Sequence, residues 1–200
     1  MPAYESMPQN SAPQVGVDQL HVVVRLLESP AAPADFTEGV FCAWQGITAS
    51  LEEATSSVRA VAWDNETEVF HNYSIEQRFT DFSWGASGTA LTYMIEIANG
   101  VTIEAIVGGL AYAVGKIRGR NAVKNRPRSL PLIDVARGEV FDAIRSVFDV
   151  SAETLNIDRV ESSDEIVHVT LSTSTGSEFE ASVALLSSGD PFIHVRRTRK

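Results

Sequence analysis

The chain has 200 residues, of which 44% are hydrophobic and 21% charged, and its formal net charge is −10 at pH 7. This length suits one domain or two small ones with a buried core. The acidic balance opposes broad binding to nucleic acid, and the single cysteine, Cys42, excludes an internal disulfide and a cysteine-cluster metal site.

The first strand is predicted after a polar N-terminal tail. Residues 1–17 contain prolines and small polar residues and are expected to be disordered. They lack the apolar core of a secretory signal, so we expect a cytoplasmic protein. Residues 20–28 alternate and are rich in β-branched residues, with apolar side chains on both faces. This pattern predicts a central strand that is covered on both sides.

Residues 36–57 are predicted to form a helix. Asp35 and Glu38 have the spacing of a capping box. Apolar residues then recur at steps of three and four, namely Phe36, Val40, Trp44, Ile47, Leu51, Ala54 and Val58. Cys42 lies beside this stripe, where a lone cysteine is usually a packing residue and not a nucleophile. Residues 58–84 fit a hairpin followed by a strand, and a helix is the alternative.

The segment 85–120 is the most apolar and the richest in glycine. We predict two helices, 87–98 and 101–118, that form a helical hairpin or one kinked helix. In the second helix the large apolar residues lie on one face: Ile103, Ile106, Leu110, Ala113, Val114 and Ile117. The opposite stripe is small almost throughout, with Glu104, Gly108, Ala111 and Gly115.

The glycines of this helix carry an energetic cost that requires an explanation. Gly108, Gly109 and Gly115 together forgo about 3 kcal/mol of helix propensity relative to alanine. Close approach of another backbone offsets such a cost, because a stripe without side chains allows tight packing. We therefore predict that Gly108, Ala111 and Gly115 form a packing surface, either inside the fold or against a second copy or another protein.

A basic connector is predicted at residues 119–129, between an N-terminal α/β unit at 18–118 and a C-terminal unit at 130–200. Six cations and no acidic residue lie in and beside it: Lys116, Arg118, Arg120, Lys124, Arg126 and Arg128. These residues could contact an anionic or acidic partner. No aromatic residue lies between Tyr112 and Phe141, so base stacking has no local donor and nucleic acid is not the expected partner.

The C-terminal unit is predicted to be a helix at 131–148 followed by four strands at 155–160, 165–173, 177–186 and 192–197. Alternation assigns one face to the helix, with Val167, Val169, Leu171, Phe179, Ala181, Val183, Leu185, Ile193 and Val195. The other face carries His168, Thr170, Glu178, Glu180, Ser182, His194 and Arg196. The predicted fold class is α+β: a small-residue-rich buried helical hairpin plus a C-terminal helix packed on a four-stranded antiparallel meander.

No catalytic motif is complete. The sequence Gly85-Ala86-Ser87-Gly88 lacks the spacing of a nucleophile elbow, and no phosphate-binding loop occurs. The four histidines lack metal-ligand spacing, so neither a metal nor a cofactor is expected. We predict a non-enzymatic binding, adaptor or regulatory protein that acts through assembly, with a protein partner or a second copy of itself.

Two alternatives remain open at this point. The apolar segment 89–115 could insert into a membrane, although Glu96 and Glu104 would each cost about 3 kcal/mol at its centre. An enzyme could instead place a site near His168, Glu180 and His194, which alternation assigns to one sheet face.

Overall fold

The computed structural model describes residues 19–27, 36–45, 56, 59–64, 69–70, 72–82, 88–98, 102–120, 132–163, 165–186 and 190–199. The strands are β1 (Gln19–Leu27), β2 (Phe36–Gln45), β3 (Trp63–Asp64), β4 (Val69–Phe70), β5 (Asn72–Phe82), β6 (Gly88–Ala98), β7 (Leu155–Ser162), β8 (Ile166–Thr173), β9 (Glu178–Leu185) and β10 (Pro191–Arg199). The helices are α1 (Ile103–Arg120) and α2 (Leu132–Phe148), with short 3₁₀ turns η1 (Ala60–Ala62) and η2 (Ala152–Thr154).

Eight of the strands form one mixed sheet in the order β5-β6-β1-β2-β10-β9-β8-β7. Only β1 and β6 pair in parallel among these neighbours; the other pairs are antiparallel. Because β2 pairs with β10, the segments predicted as separate units contribute to the same sheet. The predicted fold class is therefore wrong: the C-terminal strands continue a larger sheet and are not a separate meander.

The antiparallel order of the last four strands is as predicted, and so is the face shared by the apolar residues of β8, β9 and β10, apart from Leu185. β7, β8, β9 and β10 pair antiparallel in sequence order. Their apolar residues and those of α2 form one buried cluster, which includes Val167, Val169, Leu171, Phe179, Ala181, Val183, Ile193 and Val195. Leu185 is the exception, because it is 52% exposed while its neighbour Leu186 is buried. The buried face of β9 toward α2 thus ends at Val183 and not at Leu185.

The two helices cover opposite faces of the sheet. Ile106 and Leu110 of α1 share a buried cluster with Val22 of β1. Val23, the next residue of the same strand, belongs instead to the cluster that contains α2. Successive side chains of a strand point to opposite faces, so α1 and α2 must lie on different sides. β1 is buried on both faces, which confirms the central strand predicted at 20–28.

Two predicted helices are strands in the structure. Residues 36–45 form β2, and residues 88–98 form β6 where the first helix of the hairpin was expected. In β2 both faces are buried, since Val40 and Cys42 lie on the α1 side and Phe41 on the α2 side. Apolar residues on both faces blur the distinction between periods of 2 and 3.6. Of the rest of the predicted helix at 36–57, only Ser56 is described.

The interpretation of residues 58–84 as a hairpin and a strand agrees with the structure in part, because residues 60–62 of the expected first strand form η1. Trp63 pairs with Phe70 and Asp64 with Val69 in a two-residue ladder, and β5 follows. The predicted tail at 1–17 and the connector beyond Arg120 lie outside the described residues.

Arg25 and Gly39 form adjacent contacts where β1, β2 and α2 meet. Arg25 is 5% exposed, and its Nη2 donates to the Ser146 carbonyl and pairs with Asp149 Oδ2, both at 2.8 Å. Asp149 ends α2 in a left-handed conformation with φ 55°. A Cβ at Gly39 would lie 2.5 Å from the Val24 carbonyl oxygen, so this glycine permits the close approach of the elements.

Candidate functional site

Helix α1 begins at a polar cap. The hydroxyl oxygen of Thr102 accepts a hydrogen bond from the backbone N–H of Ala105 at 3.3 Å, which satisfies one of the donors left free at a helix start. Hydrogen bonds from its own backbone N–H and from the Thr102 side chain lower the pKa of the Glu104 carboxyl. The first turn of α1 therefore carries a stabilised negative charge at its exposed side.

The inner face of α1 agrees with its predicted apolar stripe where the side chains are described, which leaves out Val114 and Ile117. Ile106, Leu110 and Ala113 are fully buried, and the first two share a cluster with residues of the sheet and of η1. Ile103, Val107 and Ala111 are partly buried and pack against the same cluster. Burial of large side chains on one side therefore holds α1 in place.

The outer face of α1, defined here as Glu104, Ala105, Gly108, Tyr112 and Gly115, is exposed. A Cβ built on Gly108 or on Gly115 would meet no atom within 4 Å. Tyr112 is 59% exposed between these glycines, a feature that the sequence reasoning did not single out. Of the predicted packing residues, Gly108 and Gly115 thus have no described atom near an added Cβ, whereas Ala111 is partly buried against the inner cluster.

The predicted basic residues are only partly placed. Lys116, Arg118 and Arg120 occupy the last turns of α1, and their side chains lie outside the described part of the structure. Lys124, Arg126 and Arg128 lie wholly outside it. The backbone places three of the six predicted cations at the C-terminal end of the helix whose N-terminal end carries Glu104.

His168, Glu180 and His194 lie on the sheet face opposite α2, as alternation predicted. His168 pairs in register with Ser182, and Ser182 pairs with His194. His168 Nδ1 lies 3.0 Å from Ser182 Oγ, whereas His194 Nε2 lies 2.6 Å from Glu38 Oε1. The two histidines thus have different partners.

This arrangement does not bring the three residues into one site. One strand separates His168 from His194, so their backbones are about 10 Å apart. The described residues contain no group of three or more histidine, cysteine or acidic side chains that could hold a metal ion. Sequence reasoning missed Glu38 because it placed that residue in a helix; alternation along β2 was the available signal.

Cys42 is buried in β2 and is poorly suited to nucleophilic chemistry. Burial, with smaller contributions from Asp190 and Glu139, raises the pKa of its thiol well above the usual value. Because the thiolate is the reactive form, the thiol is held in its unreactive state. Its role as a packing residue agrees with the sequence interpretation, although it lies in a strand.

No protein-family model matches the chain, and no curated protein sequence matches it. Among the helices of the described residues, none has both the length and the apolar character needed to cross a bilayer. The apolar segment at 89–115 is divided between β6 and α1.

Proposed function

We propose that this chain is a non-enzymatic binding or adaptor protein that works by assembly, and that the outer face of α1 is its assembly surface. The observation that supports this proposal is that Gly108 and Gly115 face open space. Alanine at each position would fit and would favour the helix by about 1 kcal/mol. No contact within the described fold explains the glycines, whereas a partner that must approach the helix backbone closely does.

Tyr112 adds an anchor to this surface. Tyrosine supplies a large contact area with a polar tip, and such residues are enriched at protein interfaces. Tyr112 lies between the two glycine positions in the helix and is 59% exposed, and the residues next to it on this surface are small. A partner backbone lying over the glycines would be flanked by the tyrosine ring.

We assign this surface to a second copy of the chain, with the two α1 helices antiparallel. In that arrangement, centred near Leu110, position 104 of one copy lies beside position 116 of the other. Glu104 would then approach the basic end of the second helix, which carries Lys116, Arg118 and Arg120. Opposite charges at both ends would favour this orientation over the parallel one.

The test is light scattering after size-exclusion chromatography on the native chain and Gly108→Leu. A leucine side chain at position 108 would fit in a single chain, but it would push apart two helix backbones that pack together. We therefore expect a lower molar mass of the assembly for the variant, with a melting temperature that is unchanged or higher. Gly138→Leu is the matched control, because Gly138 is an exposed helical glycine of α2 with open space around it. An unchanged mass for Gly108→Leu would overturn the proposal.

A further inference from the structure

The two edges of the eight-stranded sheet differ in how they are protected. β7 forms one end and β5 the other. β7 has eight residues, and its register with β8 shifts between Ile157 and Arg159. Such a bulge, together with the charges of Asp158, Arg159 and Glu161, discourages pairing with another strand.

The pairing of β5 with β6 has no register shift of the kind found between β7 and β8. It has eleven residues, and all eleven pair with β6 in one unbroken register from Asn72 to Phe82. In the described part of the chain no strand pairs with its outer side. Ser74, Glu76, Gln77 and Arg78 are exposed. A long, regular and exposed edge strand is a template for strand addition.

The residue order along β5 is complementary to itself when reversed about Gln77. If two copies pair antiparallel with Gln77 opposite Gln77, each Glu76 stands opposite the Arg78 of the other copy. Ser74 then stands opposite Thr80, and Ile75 opposite Phe79. Across the seven residues from Ser74 to Thr80, polar, apolar and charged positions thus meet their complements, as the self-complementary interface of a two-fold dimer requires; the outer pairs Tyr73–Asp81 and Asn72–Phe82 do not match in this way.

We propose that β5 pairs antiparallel with β5 of a second copy about Gln77, which joins two sheets edge to edge. The charges select this register. A shift that centres the pair on Glu76 would place two carboxylates opposite each other, and one centred on Arg78 would place two guanidinium groups opposite each other. The alternation of the two faces excludes registers offset by a single residue.

The existing contact between Glu76 and Arg78 is compatible with this pairing. Nε and Nη2 of Arg78 donate to the two carboxylate oxygens of Glu76, each at 2.9 Å. A guanidinium has five N–H donors, so these two bonds leave donors for the carboxylate of the second copy. The two strands would then carry a square of alternating charges, in which each arginine lies between two glutamates.

A second copy fits this edge better than an unrelated extended peptide does. An unrelated peptide would need an arginine and a glutamate at a fixed spacing, whereas a second copy always presents them. The complementarity extends over Ser74, Ile75 and Glu76 on one side of Gln77 and over the three residues on the other. The interface lies on the sheet edge, so it is independent of the proposed assembly surface on α1.

The first test is charge reversal, read out by sedimentation equilibrium over a range of concentrations. Every chain in this test and in the mixing test below, including the native reference, carries Gly108→Leu, so that the proposed α1 contact does not contribute to the mass. Arg78→Glu and Glu76→Arg each place like charges opposite each other, and we expect each to raise the dimer dissociation constant at least about tenfold. The double variant that exchanges the two residues should return to within about threefold of the native value. Arg159→Glu on β7 is the control and should leave the constant unchanged.

Mixing the two single variants gives the sharpest result. Glu76→Arg carries two cations at the edge and Arg78→Glu two carboxylates, so a mixed dimer has opposite charges at both positions. We expect the mixture to form dimers of twice the 21.7 kDa chain mass where each variant alone does not. A chain that carries Gly108→Leu alone and stays monomeric, or a mixture of the two charge variants that fails to pair, would overturn the inference.

Cross-linking tests the register directly. Cysteine at position 77 should form a symmetric disulfide on mild oxidation, because directly paired residues lie within the Cα distance that a disulfide spans. Cysteine at position 74 is the control, since two copies of that position would lie about 20 Å apart. The native Cys42 is buried and should not compete.

Equal cross-linking of Gln77→Cys and Ser74→Cys would overturn the register. The Gln77→Cys cross-link should persist when Gly108→Leu is added, whereas the mass change expected of Gly108→Leu should persist when Arg78→Glu is added. Failure of either interface is therefore distinguishable from failure of the other.

Discussion

Gly39→Ala tests the packing of β1, β2 and α2 most directly. An added Cβ would lie 2.5 Å from the Val24 carbonyl oxygen and 2.6 Å from Val147 Cγ1, where ordinary contact begins at 3.4 Å. The oxygen belongs to β1, whose Arg25 pairs with Gly39, so it cannot move without disturbing that ladder. Neither neighbour is the far end of a flexible side chain.

The expected loss follows from these distances. Overpacking of a filled core costs about 1–3 kcal/mol, and a clash with backbone places Gly39→Ala at the upper end of that range. Alanine regains about 0.5–1 kcal/mol of strand propensity relative to glycine. The net loss is therefore about 2 kcal/mol, which for a chain of this size lowers the melting temperature by about 4–8 °C.

The assay is equilibrium unfolding in urea, followed by circular dichroism. Val147→Ala removes two buried methyl groups and should cost about 1.6 kcal/mol by itself. Combined with Gly39→Ala it removes one of the two clashes, so the double variant should be about 1 kcal/mol more stable than the two losses added together. Gly138→Ala on the exposed side of α2 should instead gain about 1 kcal/mol.

Two outcomes would refute this reasoning. The first is a Gly39→Ala chain as stable as the native chain, which would mean that β2 and α2 do not approach as described. The second is strict additivity of Gly39→Ala and Val147→Ala, which would mean that the two side chains do not meet.

The remaining predictions concern buried polar groups. Arg25→Met should lose about 1–2 kcal/mol in urea unfolding, since it removes the hydrogen bond to the Ser146 carbonyl and the ion pair with the largely exposed Asp149, which contributes little; native stability would contradict this. Burial lowers the pKa of His21 in the folded chain below its usual value of 6.5, so its contribution to stability is present above pH 6.5 and is lost as the pH falls. Unfolding from pH 7 to 5 should therefore show a smaller stability loss for His21→Gln, and equal slopes would oppose the assignment. Cys42 should react with a thiol reagent at pH 8 only in denaturant; rapid reaction in the native chain would contradict its burial.

Local patterns were sufficient where one face of an element is apolar. α1 and α2 formed where large residues recur at helical spacing, and β7–β10 formed where the period is 2. These elements are half-exposed, so polar residues mark their outer faces and make the period visible.

The same reasoning failed in the centre of the sheet. In β6 the residues Leu91, Tyr93, Ile95 and Ile97 alternate with Thr92, Met94 and Glu96, and this period of 2 was overlooked beside the glycine-rich helix. In β2 the alternation is hidden, because both faces are apolar and Val40 and Trp44 also fit a helical spacing. β2 is buried on both sides and so has no polar face from which to read its period, whereas the period of β6 could be read from the sequence.

For the candidate assembly surface, too, some features could be read from the sequence and others only from the structure. The sequence located the small-residue stripe on α1 and separated it from the apolar face. It did not show that Gly108 and Gly115 face open space, or that Gly39 is the glycine at which elements approach closely. Both depend on which elements are neighbours.

By itself, the sequence determined α1, α2 and β7–β10, the face that the apolar residues of β8–β10 share and the inner side of α1, because these follow from periodicity along a few residues. Only the tertiary structure decided that β1 pairs with β6 and β2 with β10, that the helices lie on opposite faces, and that β5 forms an unbroken edge. Those pairings join residues far apart in the chain, and their free energy comes from shared burial of both partners. A short stretch of sequence contains only one of the two partners, so the free energy of their pairing cannot be read from it.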